Sequence, residues 1–145
     1  MKLQSWKGRS LENREIAPRA PITIDEMHEM LDEIVEEFPP AFFTKLNGGI
    51  SLLPDVRYSP HARSNDLYTL GEYRRDAMGR YIYLYYGSIM RTYGYLPREK
   101  MRRRLWKLVS HELTHHIEDL AGERGLEKKD KEQIQQYLDR HSDDA

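Results

Sequence analysis

The chain has 145 residues, of which 32% are charged, and a formal net charge of −1. This length predicts one ordinary domain with its own hydrophobic core, and a near-neutral chain has no overall field to attract nucleic acid or membrane. The sequence contains no cysteine, which excludes disulfides and leaves histidine and carboxylate side chains as the ligands for any metal.

The first twenty residues are polar and irregular, with one proline, Pro18, near their end. We predict that residues 1–20 form a flexible N-terminal extension and that residues 21–145 form the folded domain. The opening segment has no apolar run typical of a signal peptide, and no stretch of the chain reaches transmembrane length. We therefore expect a cytoplasmic protein with no membrane partner.

A capping box marks the start of the first predicted helix, with Thr23 as N-cap and Glu26 three residues later. Apolar residues then recur at spacings of three and four until Pro39, which indicates an amphipathic helix. The opposite face is acidic, as solvated helix faces often are. A short helical turn is expected over residues 41–46.

The middle of the chain is predicted to form strands at residues 50–58, 67–74 and 80–87, which are rich in β-branched, aromatic and alternating residues. Residues 76–79 look like the turn of a hairpin between the second and third strands. A shorter extended or helical segment, residues 88–95, leads to the next element.

Residues 97–122 predict one long amphipathic helix, with Pro97 near its start and Gly122 as its terminator. A last helix is expected from Asp130, which has Gln133 three residues on. A group of strands followed by helices predicts an α+β fold. We expect a compact domain with a small, mainly antiparallel sheet, an N-terminal helix, the long helix packed on one face of the sheet, and a C-terminal helix.

The long helix carries the motif HExxH, formed by His111, Glu112 and His115. Two histidines four residues apart project from one helix face, close enough to bind one zinc ion through their ring nitrogens. The glutamate beside the first histidine can accept a proton from a zinc-bound water. The motif therefore predicts a zinc-dependent hydrolase with His111 and His115 as ligands and Glu112 as general base.

Five segments together resemble the small bacterial zincin-like metallopeptidases, also called minimal metalloprotease-like proteins and formerly a domain of unknown function. These segments are Asn47-Gly48-Gly49-Ile50, Leu70-Gly71-Glu72-Tyr73, Tyr85-Tyr86-Gly87-Ser88, the HExxH stretch His111–His116, and Leu120-Ala121-Gly122-Glu123. The resemblance implies a compact zincin-like fold and a zinc peptidase that acts on a peptide or protein substrate. Many relatives carry HExxHxxGxxD, whereas this chain has Glu118 in place of the glycine and Ala121 in place of the aspartate.

The usual third ligand is therefore missing, although a catalytic zinc site generally has three protein ligands. We favour Glu123, because the chain can reverse after Gly122 and return a carboxylate to the metal. Other possibilities are no protein ligand or one of five further carboxylates: Glu118, Asp119, Glu127, Asp130 and Glu132. The adjacent His116 points toward the apolar face and is expected to be a hydrogen-bonded core histidine.

The long helix begins with a basic cluster, Arg98, Lys100, Arg102, Arg103, Arg104 and Lys107. We expect this cluster to be solvated or to pair with the acidic first helix, in the same chain or in a second copy within a weak homo-oligomer, in preference to binding nucleic acid. The alternative to a peptidase is a non-catalytic zincin-like binding domain in which the metal is structural or absent. An intact Glu112 argues against it, since a structural site has no use for a base.

Overall fold

The computed structural model describes residues 21–60, 67–123 and 127–141, so the predicted extension over residues 1–20 lies outside the described part. The elements in chain order are α1 (Ile24–Glu36), a 3₁₀ turn (Pro40–Phe43), β1 (Ile50–Leu53), β2 (Gly71–Asp76), β3 (Gly79–Tyr85), α2 (Tyr86–Tyr93), α3 (Arg98–Gly122) and α4 (Lys128–Arg140). Within these ranges the chain is an α+β domain with four α-helices and a three-stranded sheet. No helix in the described ranges combines the length and apolar character needed to cross a membrane.

The sheet has the strand order β1-β3-β2 and is mixed. β2 and β3 form the predicted antiparallel hairpin, which turns before Gly79 at a φ of 127° that glycine adopts readily. β1 pairs with β3 in parallel, starting with Ile50 opposite Ile82. The prediction of a mainly antiparallel sheet is therefore wrong for one of the two pairings. Residue alternation shows which side of a strand is buried, but it carries no information about strand direction.

α1 begins with the predicted capping box. The Thr23 backbone N–H donates to Glu26 Oε1 at 2.9 Å, and the Glu26 N–H donates to Thr23 Oγ1 at 3.1 Å. The apolar side of α1 is buried in the core against α3. Arg98 of α3 pairs with Glu26, and Arg102 pairs with Glu33 and Glu37. The expectation that α1 neutralises the basic cluster within the chain is thus confirmed for these two arginines.

α3 is the central element of the domain and has the predicted bounds within one residue. Its 25 residues correspond to a length of about 38 Å. One side is buried and packs on the sheet and α1 through Met101, Leu105, Val109, Glu112, Leu113, His116 and Leu120. Gly71 of β2 lies between this helix and β3, where a Cβ atom would lie 3.4 Å from Leu108 Cδ1 of α3 and 2.8 Å from Leu84 Cδ2 of β3. The glycine therefore leaves room for the Leu84 side chain.

α4 closes the core with Ile134 and Tyr137, and the Tyr137 ring packs on Phe38 and Phe42. The helix begins at Lys128, two residues before the predicted start at Asp130. Asp130 is not a cap but lies in the first turn, where a carboxylate interacts favourably with the helix dipole. An acidic residue near a helix start is compatible with either position, so the pattern misplaced the boundary.

Candidate metal and catalytic site

His111 and His115 lie one turn apart on the solvent-exposed face of α3. Their Nε2 atoms are 3.1 Å apart, and the rings meet edge to face with centroids separated by 4.6 Å. Two nitrogens that each bind zinc at 2.0–2.1 Å in a tetrahedral site are separated by about 3.4 Å. The helix therefore holds both imidazoles at close to the spacing that one zinc ion requires.

Glu112 lies on the buried side of α3, with 5% of its surface exposed. Its carboxylate accepts a hydrogen bond from the backbone N–H of Tyr73 on β2. Burial raises the pKa of Glu112 above its usual value, and the negative charge of Glu72 adds to this, although His115 and the Tyr73 hydrogen bond act in the opposite direction. A carboxylate that holds its proton more tightly than usual is suited to accept a proton and return it.

A cleft of about 720 Å³ opens between α3 and β2 beside these three side chains. Its walls are formed by His111, Glu112, His115, Glu118 and Asp119 of α3 and by Gly71, Glu72, Tyr73 and Arg75 of β2. This volume falls within the range typical of ligand-binding clefts. One accessible cavity therefore brings together three features: the two histidine side chains that could bind a metal, a buried carboxylate, and an edge strand of the sheet.

Asp119 is bound to the sheet and not directed at the histidines. It accepts hydrogen bonds from the Tyr73 hydroxyl at 2.7 Å, from Arg75 at 2.8 Å and from Arg80 at 3.0 Å. Burial alone would raise the pKa of Asp119, but the hydrogen bonds from Tyr73 and Arg80 and the positive charges of Arg75 and Arg80 lower it overall. The carboxylate is therefore held in its ionised form as an anchor between α3 and the β2–β3 hairpin.

Glu123, the predicted third ligand, forms ion pairs with Arg75 and Arg80. The structure therefore does not bring Glu123 to the histidine pair. The role of Glu123 as a metal ligand stays a prediction.

The other carboxylates considered for this role have different positions. Glu118 is exposed and lines the cleft, Glu127 is the N-cap of α4, and Asp130 and Glu132 lie on α4. Over residues 21–60, 67–123 and 127–141, no three histidine, aspartate or glutamate side chains are gathered closely enough to hold a metal ion. The spacing of the histidine pair fits one zinc ion, but within these ranges no third ligand lies beside the pair.

His116 is fully buried, as expected for a core histidine. Its Nε2 lies 2.7 Å from the carbonyl oxygen of Thr44 and must donate there, while its Nδ1 lies 3.0 Å from the Tyr73 hydroxyl. Burial lowers the pKa of His116, although the Thr44 hydrogen bond acts in the opposite direction. The ring joins α3 to the segment after the 3₁₀ turn and to β2, behind the exposed histidines.

Tyr73, Arg75 and Arg80 belong to the candidate site, although their sequence pattern indicates only strands of the sheet. Tyr73 contacts Glu112, Asp119 and His116, and the two arginines bind the acidic end of α3. Alternation along β2 places Tyr73 and Arg75 on one side of the strand. No local pattern shows that this side faces α3, because the partners are about forty residues away in sequence.

The fold and the site together define an α+β domain whose long central helix presents a histidine pair and a buried glutamate to an open cleft. No family model matches the chain, and no curated protein matches it either. A solved structure, that of a conserved hypothetical protein from Thermus thermophilus, is similar with 31% identity and a TM-score of 0.60. The match covers 70% of this chain and 99% of that one. The chain therefore belongs to the same family as this conserved hypothetical protein.

Proposed function

We propose that this protein is a zincin-like, zinc-dependent peptidase. The observation that carries the proposal is the placement of the buried Glu112 directly behind the exposed pair His111 and His115, whose Nε2 atoms are 3.1 Å apart. His111 and His115 are the proposed zinc ligands, together with an acidic residue for which Glu123 is the prediction. When bound, zinc supplies a Lewis acid that polarises the scissile carbonyl and lowers the pKa of a water molecule.

Glu112 is proposed as the general base. The Tyr73 N–H fixes its carboxylate at the wall of the cleft, and burial raises its pKa, so that it accepts a proton from water and later donates it to the leaving amine. Tyr73, Asp119 and Arg80 are positioning residues, because their contacts hold the β2–β3 hairpin and α3 together at the cleft. His116 supports the same wall from inside the core.

A non-catalytic zincin-like domain is the second candidate, and one observation favours it. In the described part of the chain the third metal ligand is not gathered with the histidines, and Asp119 and Glu123 are both engaged by arginines. This candidate predicts zinc binding without hydrolysis, or no zinc binding at all. The two candidates are therefore separated by measuring zinc content and peptide cleavage on the same sample.

The test uses the full chain loaded with zinc sulfate and a peptide mixture of varied sequence, with new termini detected by mass spectrometry. We expect cleavage by the wild-type protein. Glu112→Gln should retain zinc but lose at least about 10²-fold in rate, because the amide cannot accept a proton. Equal cleavage by both proteins would show that Glu112 is not the base. Zinc binding without any cleavage by the wild-type protein would support the non-catalytic domain.

A further inference from the structure

Four cations occupy the side of α3 that leads to the histidine pair. Lys100, Arg103, Arg104 and Lys107, hereafter the basic face, project to the same side of the helix as His111, at 100° per residue. The first three are exposed and Lys107 is half-buried. At a rise of 1.5 Å per residue, the basic face extends from about 6 Å to about 16 Å before His111. It therefore lies directly beside one end of the cleft.

The basic face differs from the other arginines of the same helix in its partners. Arg98 and Arg102 face α1 and are paired with its glutamates. Among the described residues, no carboxylate lies within ion-pair distance of the basic face. Intramolecular pairing thus accounts for the cations on the α1 side and does not account for those on the side of the cleft.

Helix stability does not explain the basic face either. The N-terminal end of a helix favours negative charge and its C-terminal end favours positive charge. α3 has one acidic residue in its first turn, Glu99, and no basic residue in its last turn. On the exposed side its cations come before the histidines, and the exposed Glu118 follows them. The cations of the basic face therefore gain no stabilisation from the helix dipole.

The positive surface continues from α3 onto α2. The Arg104 guanidinium lies 5.1 Å from the centroid of the Tyr93 ring, which holds it against α2. Tyr93 and Arg91 line a neighbouring cleft of about 470 Å³, whose other wall includes Tyr68 and Leu70. Leu70 directly precedes Gly71, which lines the candidate catalytic cleft. The basic face is thus continuous with a groove that runs along the segment leading into β2.

We infer that the substrate is an acidic peptide, whose carboxylates bind the basic face on the N-terminal side of the histidine pair. This inference rests on the proposed peptidase function and names its substrate class. A peptide fits better than a nucleic acid, because the cations form a short row that ends at a cleft also lined by Glu72 and Glu118. A longer polyanion would extend past the histidine pair and meet these carboxylates. Four cations in one row suit a few acidic side chains next to the scissile bond.

The test measures peptide binding, so that it does not depend on hydrolysis. The full chain with Glu112→Gln is titrated, at low and high ionic strength, against a fluorescent twelve-residue peptide of alternating glutamate and alanine. The same peptide with lysine for glutamate and a twelve-nucleotide single-stranded DNA are the comparison probes. We expect the glutamate peptide to bind most tightly, and its affinity to fall as salt is added.

The deciding variant is Arg104→Glu with Lys107→Glu. It should weaken binding of the glutamate peptide at least roughly tenfold, since like charges now face each other. The matched control is Lys128→Glu with Lys129→Glu, which changes the charge equally on the exposed start of α4 and should leave binding unchanged. Arg104→Gln with Lys107→Gln replaces the deciding variant if circular dichroism shows that charge reversal unfolds the protein.

Three results would overturn the inference: undiminished binding in the basic-face variant, an equal loss in the α4 control, or tighter binding of the DNA. The last result would assign the basic face to nucleic acid. A different result is salt-sensitive binding of the glutamate peptide through the basic face by a protein that neither binds zinc nor cleaves peptides. This result would support the acidic-peptide surface and reject the peptidase function. The two proposals can therefore fail separately.

Discussion

Tyr73 of β2 donates its hydroxyl proton to Asp119 of α3 across 2.7 Å, while its backbone N–H donates to Glu112. One residue of the strand thus holds two positions of the helix that lie seven residues apart. The contact with Glu112 orients the candidate base, and the contact with Asp119 secures the next turns of α3 to the hairpin. Tyr73 therefore fixes both the distance and the alignment between the two walls of the cleft.

Acid sensitivity of the fold should depend on Asp119. The pKa of Asp119 is lowered in the folded state, so its contribution to stability is fully present above the unfolded pKa of about 3.9 and is lost as the pH falls through the folded pKa. Asp119→Asn should cost about 1.5–3 kcal/mol at pH 7 and progressively less below about pH 4. Urea unfolding between pH 7 and pH 3 measures this difference.

Glu29→Gln on the exposed face of α1 is the control for simple removal of a negative charge. Its effect on the free energy of unfolding should be small. If Asp119→Asn destabilises the protein equally at pH 7 and at pH 3, the ionised carboxylate is not what anchors α3 to the hairpin.

Zinc content should depend on the two exposed histidines of α3. We predict about one zinc per chain after loading and dialysis, as a mononuclear site requires. His111→Ala or His115→Ala should abolish it, because a single imidazole is left. His28→Ala, which removes an exposed histidine of α1, should leave the content unchanged. Elemental analysis that finds full zinc in both α3 variants would eliminate the proposed metal site.

The identity of the acidic ligand can be decided by comparing three alanine variants. If Glu123 is the ligand, Glu123→Ala lowers zinc affinity by more than the 10- to 100-fold expected of a residue that only supports a ligand. Glu118→Ala and Asp119→Ala should then have smaller effects. Competition with a chromogenic chelator gives the three affinities. The greatest loss in Glu118→Ala would transfer the role to Glu118, which already lines the cleft.

Close packing of Gly71 against β3 should make this position sensitive to any side chain. Gly71→Ala places a Cβ 2.8 Å from Leu84 Cδ2 and 3.3 Å from the Tyr83 carbonyl oxygen, and such overpacking typically costs 1–3 kcal/mol, so we expect a loss of about 2 kcal/mol. Gly122→Ala is the matched control, because its Cβ meets nothing within 4 Å. Urea unfolding should show destabilisation at residue 71 and none at residue 122.

Local patterns in the sequence were sufficient for the elements that depend on neighbouring residues. The capping box at Thr23, the bounds of α3 and the hairpin turn before Gly79 are all set by residues within four positions of each other. The first predicted strand, residues 50–58, ends early at Leu53, since Pro54 lacks the N–H that would continue the ladder.

Contacts between distant segments were not predictable in this way. The parallel pairing of β1 with β3 brings together residues 32 positions apart, such as Ile50 and Ile82. The ion pairs of Glu123 with Arg75 and Arg80 join residues more than forty positions apart. The motif therefore located the helix-borne part of the site, and only the structure located the strand-borne part.

The six residues from His111 to His116 differ in their environment as the helix turns. His111 and His115 are exposed, whereas Glu112, Leu113 and His116 are buried. The rotational phase of α3 about its own axis therefore sets both the packing of the interior and the direction of the imidazoles. A slip of one residue amounts to 100°, enough to move Leu113 toward solvent. A substitution in the core beneath the helix can thus leave the protein folded and still change the direction of the two histidines.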